Sequence, residues 1–289
     1  DDSVGRYCLF DSRMCWKQVF HVRIKKQFSM EMLVEFLDRI IARYPHIDLF
    51  VECEVIMTNK DHLIFDKLSG FSSQIRCLNL FECPSELIIS QVLEPFHRLY
   101  EIMLGRTEIE DMDKFVKALK CKKLSLAWVT MTRHSLQTLL QKVNCSYLSL
   151  YVIDTDECHE ASYLEGLQYN KSLKSFRLVQ KQACLKAHHL HHIEQNSNIK
   201  HLSIDLETEV NVHKILNRVA KNENLQSVEL TNYLNDLTKG VDLAPLVDGM
   251  PHLKTLSLSK PLFTAYIGDH SNSKHYLIVR PAKKYLETE

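Results

Sequence analysis

Along IRCLNLFEC, residues 75–83, apolar side chains stand at relative positions 1, 4, 6 and 9: Ile75, Leu78, Leu80 and Cys83. A helix repeats at 3.6 and a half-buried strand alternates, so one copy fits neither period. The spacing recurs. Positions 1, 4 and 6 are Leu99, Ile102 and Leu104; Cys121, Leu124 and Leu126; Cys145, Leu148 and Leu150; and Leu173, Phe176 and Leu178. Ile199, Leu202 and Ile204 follow, then Leu225, Val228 and Leu230, then Leu253, Leu256 and Leu258. Two weaker copies come first, one with Val19, Val22 and Ile24 and one with Leu49 and Val51. With Leu49 taken as position 4 of the second copy, successive fourth positions are 22 to 29 residues apart. A repeat of that length holds one supersecondary unit, which buries its apolar face only against its neighbours.

Segments of helical period lie between these cores. In SMEMLVEFLDRIIARY, residues 29–44, Met32, Leu33, Phe36, Leu37, Ile40 and Ile41 share one stripe, and Ser29 is a good N-cap. DMDKFVKALK, SLQTLLQKV, ASYLEGLQ and NVHKILNRVA read the same way. Side chains alternate across a strand, so positions 4 and 6 turn to the helices and positions 3, 5 and 7 to the opposite face. The pattern predicts about ten strand–helix repeats and a parallel sheet, with Leu78, Leu124, Leu148, Leu202 and Leu256 buried.

The recurring motif resembles LxxLxLxxN/C of the leucine-rich repeat family, over roughly residues 18–262. The resemblance implies an α/β leucine-rich repeat solenoid, a horseshoe with the parallel sheet on its concave face. Position 9, asparagine or cysteine in the family, is Cys83, Thr107, Val129, Ile153, Lys181, Glu207 and Tyr233. An irregular solenoid without that asparagine ladder is expected. Residues 1–17, with Trp16, are read as an N-terminal cap or adaptor-proximal segment, and residues 263–289 as a C-terminal cap. In the latter, HYLIVR reads as a strand stopped by Pro281.

Positions 3, 5, 7 and 8 are not needed by the core, so their chemistry lies closest to function. In repeats two to six they include Phe50, Phe81, Met103, Arg106, Trp128, Tyr147 and Tyr151. Aromatic residues, Met and Arg are what the centres of protein interfaces favour. Arg23 and Lys25 would flank the patch and prefer an acidic or polar segment, and Arg177 belongs to the more polar later repeats. These ten residues are the candidate partner-binding set. A register slip of one residue would exchange core and surface throughout.

Lys plus Arg and Asp plus Glu balance at 36 each, so the global electrostatic footprint of a nucleic-acid binder is missing. RNA remains an alternative ligand through Arg23, Lys25 and Lys26 beside Phe50 and Phe81, opposed by Asp48, Glu52, Glu82 and Glu101. Nine cysteines without a CxxC pair read as small packing residues in a reducing compartment, cytosol or nucleus. No apolar run approaches the ~20 residues of a membrane span, and DDSVGRYCLF carries no secretory leader.

No nucleotide-loop, dinucleotide, nucleophile-elbow or zincin motif occurs. Glu108, Glu110, Asp111 and Asp113 read as a helix start, where negative charge complements the dipole. In CLKAHHLHH, Cys184, His188 and His192 at i, i+4 and i+8 are residue types that zinc accepts. Ligands spread over two helical turns converge poorly on one ion. The segment is read as a solvated helix, with Leu185, Leu190 and Ile193 facing the core and no metal or cofactor bound.

Irregular, cysteine-bearing repeats of this kind look like intracellular leucine-rich repeat receptors. Many of these are substrate-recognition subunits of cullin-RING ubiquitin ligases, the nematode zinc-finger-interacting factor type among them. The resemblance implies a non-catalytic module with a target protein on the concave face and a cullin adaptor of the elongin or Skp type. An elongin-binding box reads small-Leu-x-x-x-Cys, and Ser3, Val4 and Cys8 of SVGRYC match it only loosely. No F-box helix bundle is read ahead of the repeats. A scaffold without a ligase link and an RNA-binding adaptor are the alternatives.

Overall fold

The fourth positions of the motif form the core. Leu78, Ile102, Leu124, Leu148, Phe176, Leu202, Val228 and Leu256 are all buried, none more than 1% exposed. The sixth positions from Leu80 to Leu230 are buried beside them. The computed structural model describes residues 5–9, 17–24, 30–53, 63–151, 161–180, 187–206, 212–232, 249–259, 263–268 and 276–281. The chain forms two units, residues 1–131 and 132–289.

The first unit begins with β1 (Gly5–Leu9) and β2 (Lys17–Ile24). It continues through α1 (Met30–Arg43), β3 (Asp48–Cys53), α2 (Leu63–Ser69) and β4 (Ile75–Phe81). A helical turn, α3 (Ser85–Leu87), runs on as a π-helical segment, Ile88–Leu93. β5 (Glu101–Gly105), α4 (Met112–Ala118) and β6 (Lys123–Ala127) complete it. β2 to β6 pair in parallel, each with the next, while β1 pairs antiparallel with β2. The helical segments pack in chain order, α1 on α2, α2 on the π segment and that segment on α4. One supersecondary unit per repeat is therefore stacked on the next, as the period requires.

The second unit opens with α5 (Arg133–Lys142) and β7 (Tyr147–Tyr151). A 3₁₀ segment, Ala161–Tyr169, leads to β8 (Ser175–Gln180). A second 3₁₀ segment, Ala187–Leu190, and the single turn α6 (His191–Glu194) lead to β9 (His201–Leu206). α7 (Val212–Val219), β10 (Ser227–Asn232) and β11 (Thr255–Ser259) follow. β7 to β11 again pair in parallel in chain order. β12 (Phe263–Gly268) and β13 (Tyr276–Pro281) form an antiparallel ribbon, so the strand expected in HYLIVR is present and runs into Pro281. Strand–helix repeats with buried 1-4-6 positions and parallel pairing make the fold an α/β leucine-rich repeat solenoid.

Three expectations need correction. In the second repeat, Val51 pairs with Val22 and Leu78, so Val51, not Leu49, occupies position 4. The irregularity between Leu49 and Phe50 on the β4 side hides this, and a two-residue shift leaves every side chain on its expected face. CLKAHHLHH is not one solvated helix over its described part: His189 is 5% exposed, with Leu190 and Ile193 buried as expected.

The third concerns asparagine. The ladder missing at position 9 exists elsewhere, three residues before position 1. Asn170, Asn196 and Asn222 are each buried. The Asn196 amide donates to the carbonyls of Leu167 and Asn170, at 2.5 and 3.0 Å, and its oxygen accepts from the Asn198 and Ile199 amides. Asn170 bonds Leu140 and Val143 in the same way, and Asn222 bonds Ile193 and Asn196. Each side chain thus satisfies carbonyls at the end of the previous repeat's helical segment and clamps the turn into its own strand.

Candidate recognition surface

On the strand face of the first unit, position 3 carries Cys77, Glu101 and Lys123 side by side, and position 5 carries Asn79, Met103 and Ser125. All six are half-buried. Among the described residues of this unit, Arg76, Lys123 and Arg106 each face a carboxylate. Arg76 bonds Asp48 at 3.0 Å, and the Lys123 ammonium lies 3.6 Å from Glu101 and 5.3 Å from the centroid of the Tyr100 ring. Phe50 lies on β3 in register with Cys77. Phe81, at the end of β4, lies over Gly105, where a Cβ would come within 2.4 Å of two of its ring atoms. The glycine is what lets the ring cross to the next repeat.

The strands end in a shared device. Glu82, Arg106 and Trp128, the eighth positions of three successive repeats, have φ of 55°, 50° and 52°. Non-glycine residues seldom adopt the left-handed region, and here the turn recurs because the ninth residue, Cys83, Thr107 or Val129, must return to the core. The turn throws the eighth side chain onto the rim of the sheet. Arg106 contacts Glu82 at 3.3 Å, and its guanidinium carbon lies 6.0 Å from the Trp128 ring centroid. Trp128 remains 42% exposed. A cleft of about 500 Å³ opens beside them, lined among others by Glu82, Glu86, Arg106, Glu108 and Glu110. Of the expected helix-start acids, Asp111 caps α4 by accepting from the Lys114 amide at 2.9 Å.

In the second unit, Tyr147 and Tyr151 are half-buried on β7, beside Ser175 and Val179 of β8. Arg177 bonds Asp205 at 2.9 Å, and that carboxylate is only 3% exposed. Burial alone would lower the Arg177 pKa, but the bond and charge of Asp205 outweigh it and the pKa rises. Ser203 donates to Glu229 at 2.9 Å on the same face. Arg23 lies in β2 in register with Glu52, whereas Lys25 and Lys26 fall outside the described residues.

Among the described residues, three thiols are packing groups. Cys83, Cys121 and Cys145 are buried. Burial pushes the Cys83 pKa up to about 12, and burial together with Glu101 pushes Cys77 to about 11, so both are thiols at neutral pH. Among the described residues no group of three or more His, Cys, Asp or Glu is placed to hold a metal ion. Cys184 of the suspected zinc motif lies outside them, as does the side chain of His188. The His192 pKa is lowered, chiefly by burial. Among the described residues no helix is long and apolar enough to cross a membrane.

Two features of the surface escaped the sequence pattern: the left-handed eighth position, and the cleft beside it. A polar or aromatic residue between the apolar seventh or sixth position and a small buried ninth was the available signal.

The sequence matches no protein-family profile and no curated protein. Among solved structures it is similar to a chain of the crystal structure of the TLR13–ssRNA13 complex, at 14% identity and a TM-score of 0.41. The match covers 83% of this chain and 40% of that one.

Proposed function

We propose that this chain is a non-catalytic protein-recognition module, the substrate receptor of a cullin-RING ubiquitin ligase, which takes its target on the strand face and rim of its repeats. The observation that carries the recognition part is Trp128. A large aromatic held 42% exposed at a left-handed position, with Arg106 over its ring, resembles the preformed anchors at interface centres. Phe50, Phe81 and Met103 supply apolar surface on the same unit, and Tyr147 and Tyr151 on the other. Protein suits the first unit's face better than RNA, because Arg76, Lys123 and Arg106 are each already matched by a carboxylate. The ligase part rests on the resemblance to intracellular receptors, as do an elongin- or Skp-type adaptor and a cytosolic or nuclear location. Residues 1–17 and 263–289 would cap the solenoid.

The test is affinity purification from native cells with wild-type protein and Trp128→Ala side by side, read by mass spectrometry. A cullin with an elongin or Skp adaptor in both samples, plus a target lost with Trp128→Ala, is expected. A target without any cullin leaves a scaffold, and RNA without a protein target replaces the module by an RNA adaptor.

A further inference from the structure

Net neutrality conceals a row of cations on the second unit. The residue at position 2 enters each strand from the turn, and in successive repeats it is Lys174, Lys200, Gln226 and Lys254. Their backbones form an unbroken ladder: the Lys200 amide donates to the Lys174 carbonyl, Gln226 to Lys200 and Lys254 to Gln226, each at 2.8 Å. Neighbouring strands lie about 4.8 Å apart, so Lys174 and Lys200 start one such step apart and Lys254 two steps further on. All three lysines are exposed. None has an ion-pair partner among the described residues. This contrasts with the second unit's Arg177 and Lys221, paired with Asp205 and Glu194.

The turns that carry the lysines are held by hydrogen bonds. The Asn170 oxygen accepts from the Ser172 and Leu173 amides, and Asn196 accepts from Asn198 and Ile199, fixing the backbone up to the residue before Lys174 and Lys200, while the turn before Lys254 is closed by the Leu253 amide on the Met250 carbonyl at 3.1 Å. The four turns NKSLK, NSNIK, NENLQ and MPHLK hold Lys171 as a fourth cation and Glu223 as their one acid. Like charges one strand apart repel, and among the described residues none of the three lysines has an ion pair to relieve it. An anionic ligand would.

We propose that the second unit docks an acidic segment of a partner protein along Lys174, Lys200 and Lys254. This rests on reading the chain as a protein-recognition module, and it moves the acid-binding flank expected at Arg23 and Lys25 to a different edge. An extended segment with carboxylates on alternate residues would lie across the strand entries, the lysine stems taking up the mismatch in spacing. A nucleic acid would also want aromatic platforms for its bases. The four turns contain no Phe, Tyr or Trp.

The experiment uses fluorescence anisotropy at low ionic strength with two labelled probes, a Glu-Ser repeat peptide of about ten residues and an oligouridylate of similar length. The expected result is that the peptide binds the full chain more tightly than the oligouridylate. Lys174→Gln/Lys200→Gln/Lys254→Gln should weaken it about tenfold and flatten its salt dependence. Lys200→Gln alone should give a smaller loss, and Lys114→Gln/Lys117→Gln/Lys120→Gln in the first unit none. No peptide binding, equal losses in both triple variants, or tighter oligouridylate binding that the same lysines control would each overturn the inference. Trp128→Ala should leave peptide binding intact. If that variant loses the captured target while the lysine variant keeps it, the recognition module stands and the acidic docking edge does not.

Discussion

Phe81 and Gly105 show how single residues decide the surface of the first unit. The ring occupies the space that a Cβ at Gly105 would need, 2.4 Å from two ring atoms, so Gly105→Ala must displace an aromatic already packed across the repeat. Gly105→Ala is expected to destabilise by about 1–3 kcal/mol, as overpacking does. Phe81→Ala in the same chain should recover part of that loss, and urea melts of both single variants and the double variant measure the coupling. Cys77 makes a different prediction. Its pKa rises from 9.0 to about 11 on folding, through burial and then Glu101, so the unfolded thiol ionises first. Its contribution to stability is complete below pH 9 and declines as pH climbs through about 11. Denaturation midpoints across that range should fall less steeply in Cys77→Ala than in wild type.

At the scale of elements, the buried asparagines Asn170, Asn196 and Asn222 tie three turns of the second unit to the repeat before each. Asn196→Ala removes a partner from two carbonyls and two amides at once, with the Leu167 carbonyl keeping the Asn170 amide. Leaving such groups buried costs on the order of 1–3 kcal/mol each, so a loss of at least ~3 kcal/mol is expected. Asn198, half-buried with a side chain outside the ladder, should tolerate alanine within about 0.5 kcal/mol. Chemical denaturation of the two variants makes the comparison. The ladder was present in the sequence as NKSL, NSNI and NENL at a spacing of 26, but the family motif directs attention to position 9. The 1-4-6 spacing was legible because it states which side chains are buried, and burial selects the strand register. Val51 was displaced because HIDLFV alternates throughout, so two registers share one face and only pairing with β2 and β4 separates them. ASYLEGLQ was read as a helix from its apolar stripe, which does not distinguish α from 3₁₀ geometry over so few turns. The left-handed turn at the eighth position left only the trace of a polar or aromatic residue before a small buried ninth, since Glu, Arg and Trp share no propensity for it.

At the scale of the whole molecule, a neutral total gives way to local order. Among the described residues, the first unit pairs Arg76, Lys123 and Arg106 with carboxylates and exposes an aromatic on the rim, while the second carries unmatched lysines where its strands begin. Affinity for a target protein should therefore come from apolar anchoring on the first unit, with charge acting on the rate of encounter. The most direct test is titration calorimetry of the identified target against wild type and Trp128→Ala, with a thermal melt of each. The account predicts a loss of at least ~2 kcal/mol in binding, as for an interface hot spot, and a melting temperature close to that of wild type, because the side chain stands on the rim, 42% exposed, outside the buried core. Unchanged binding by a folded Trp128→Ala protein would contradict it.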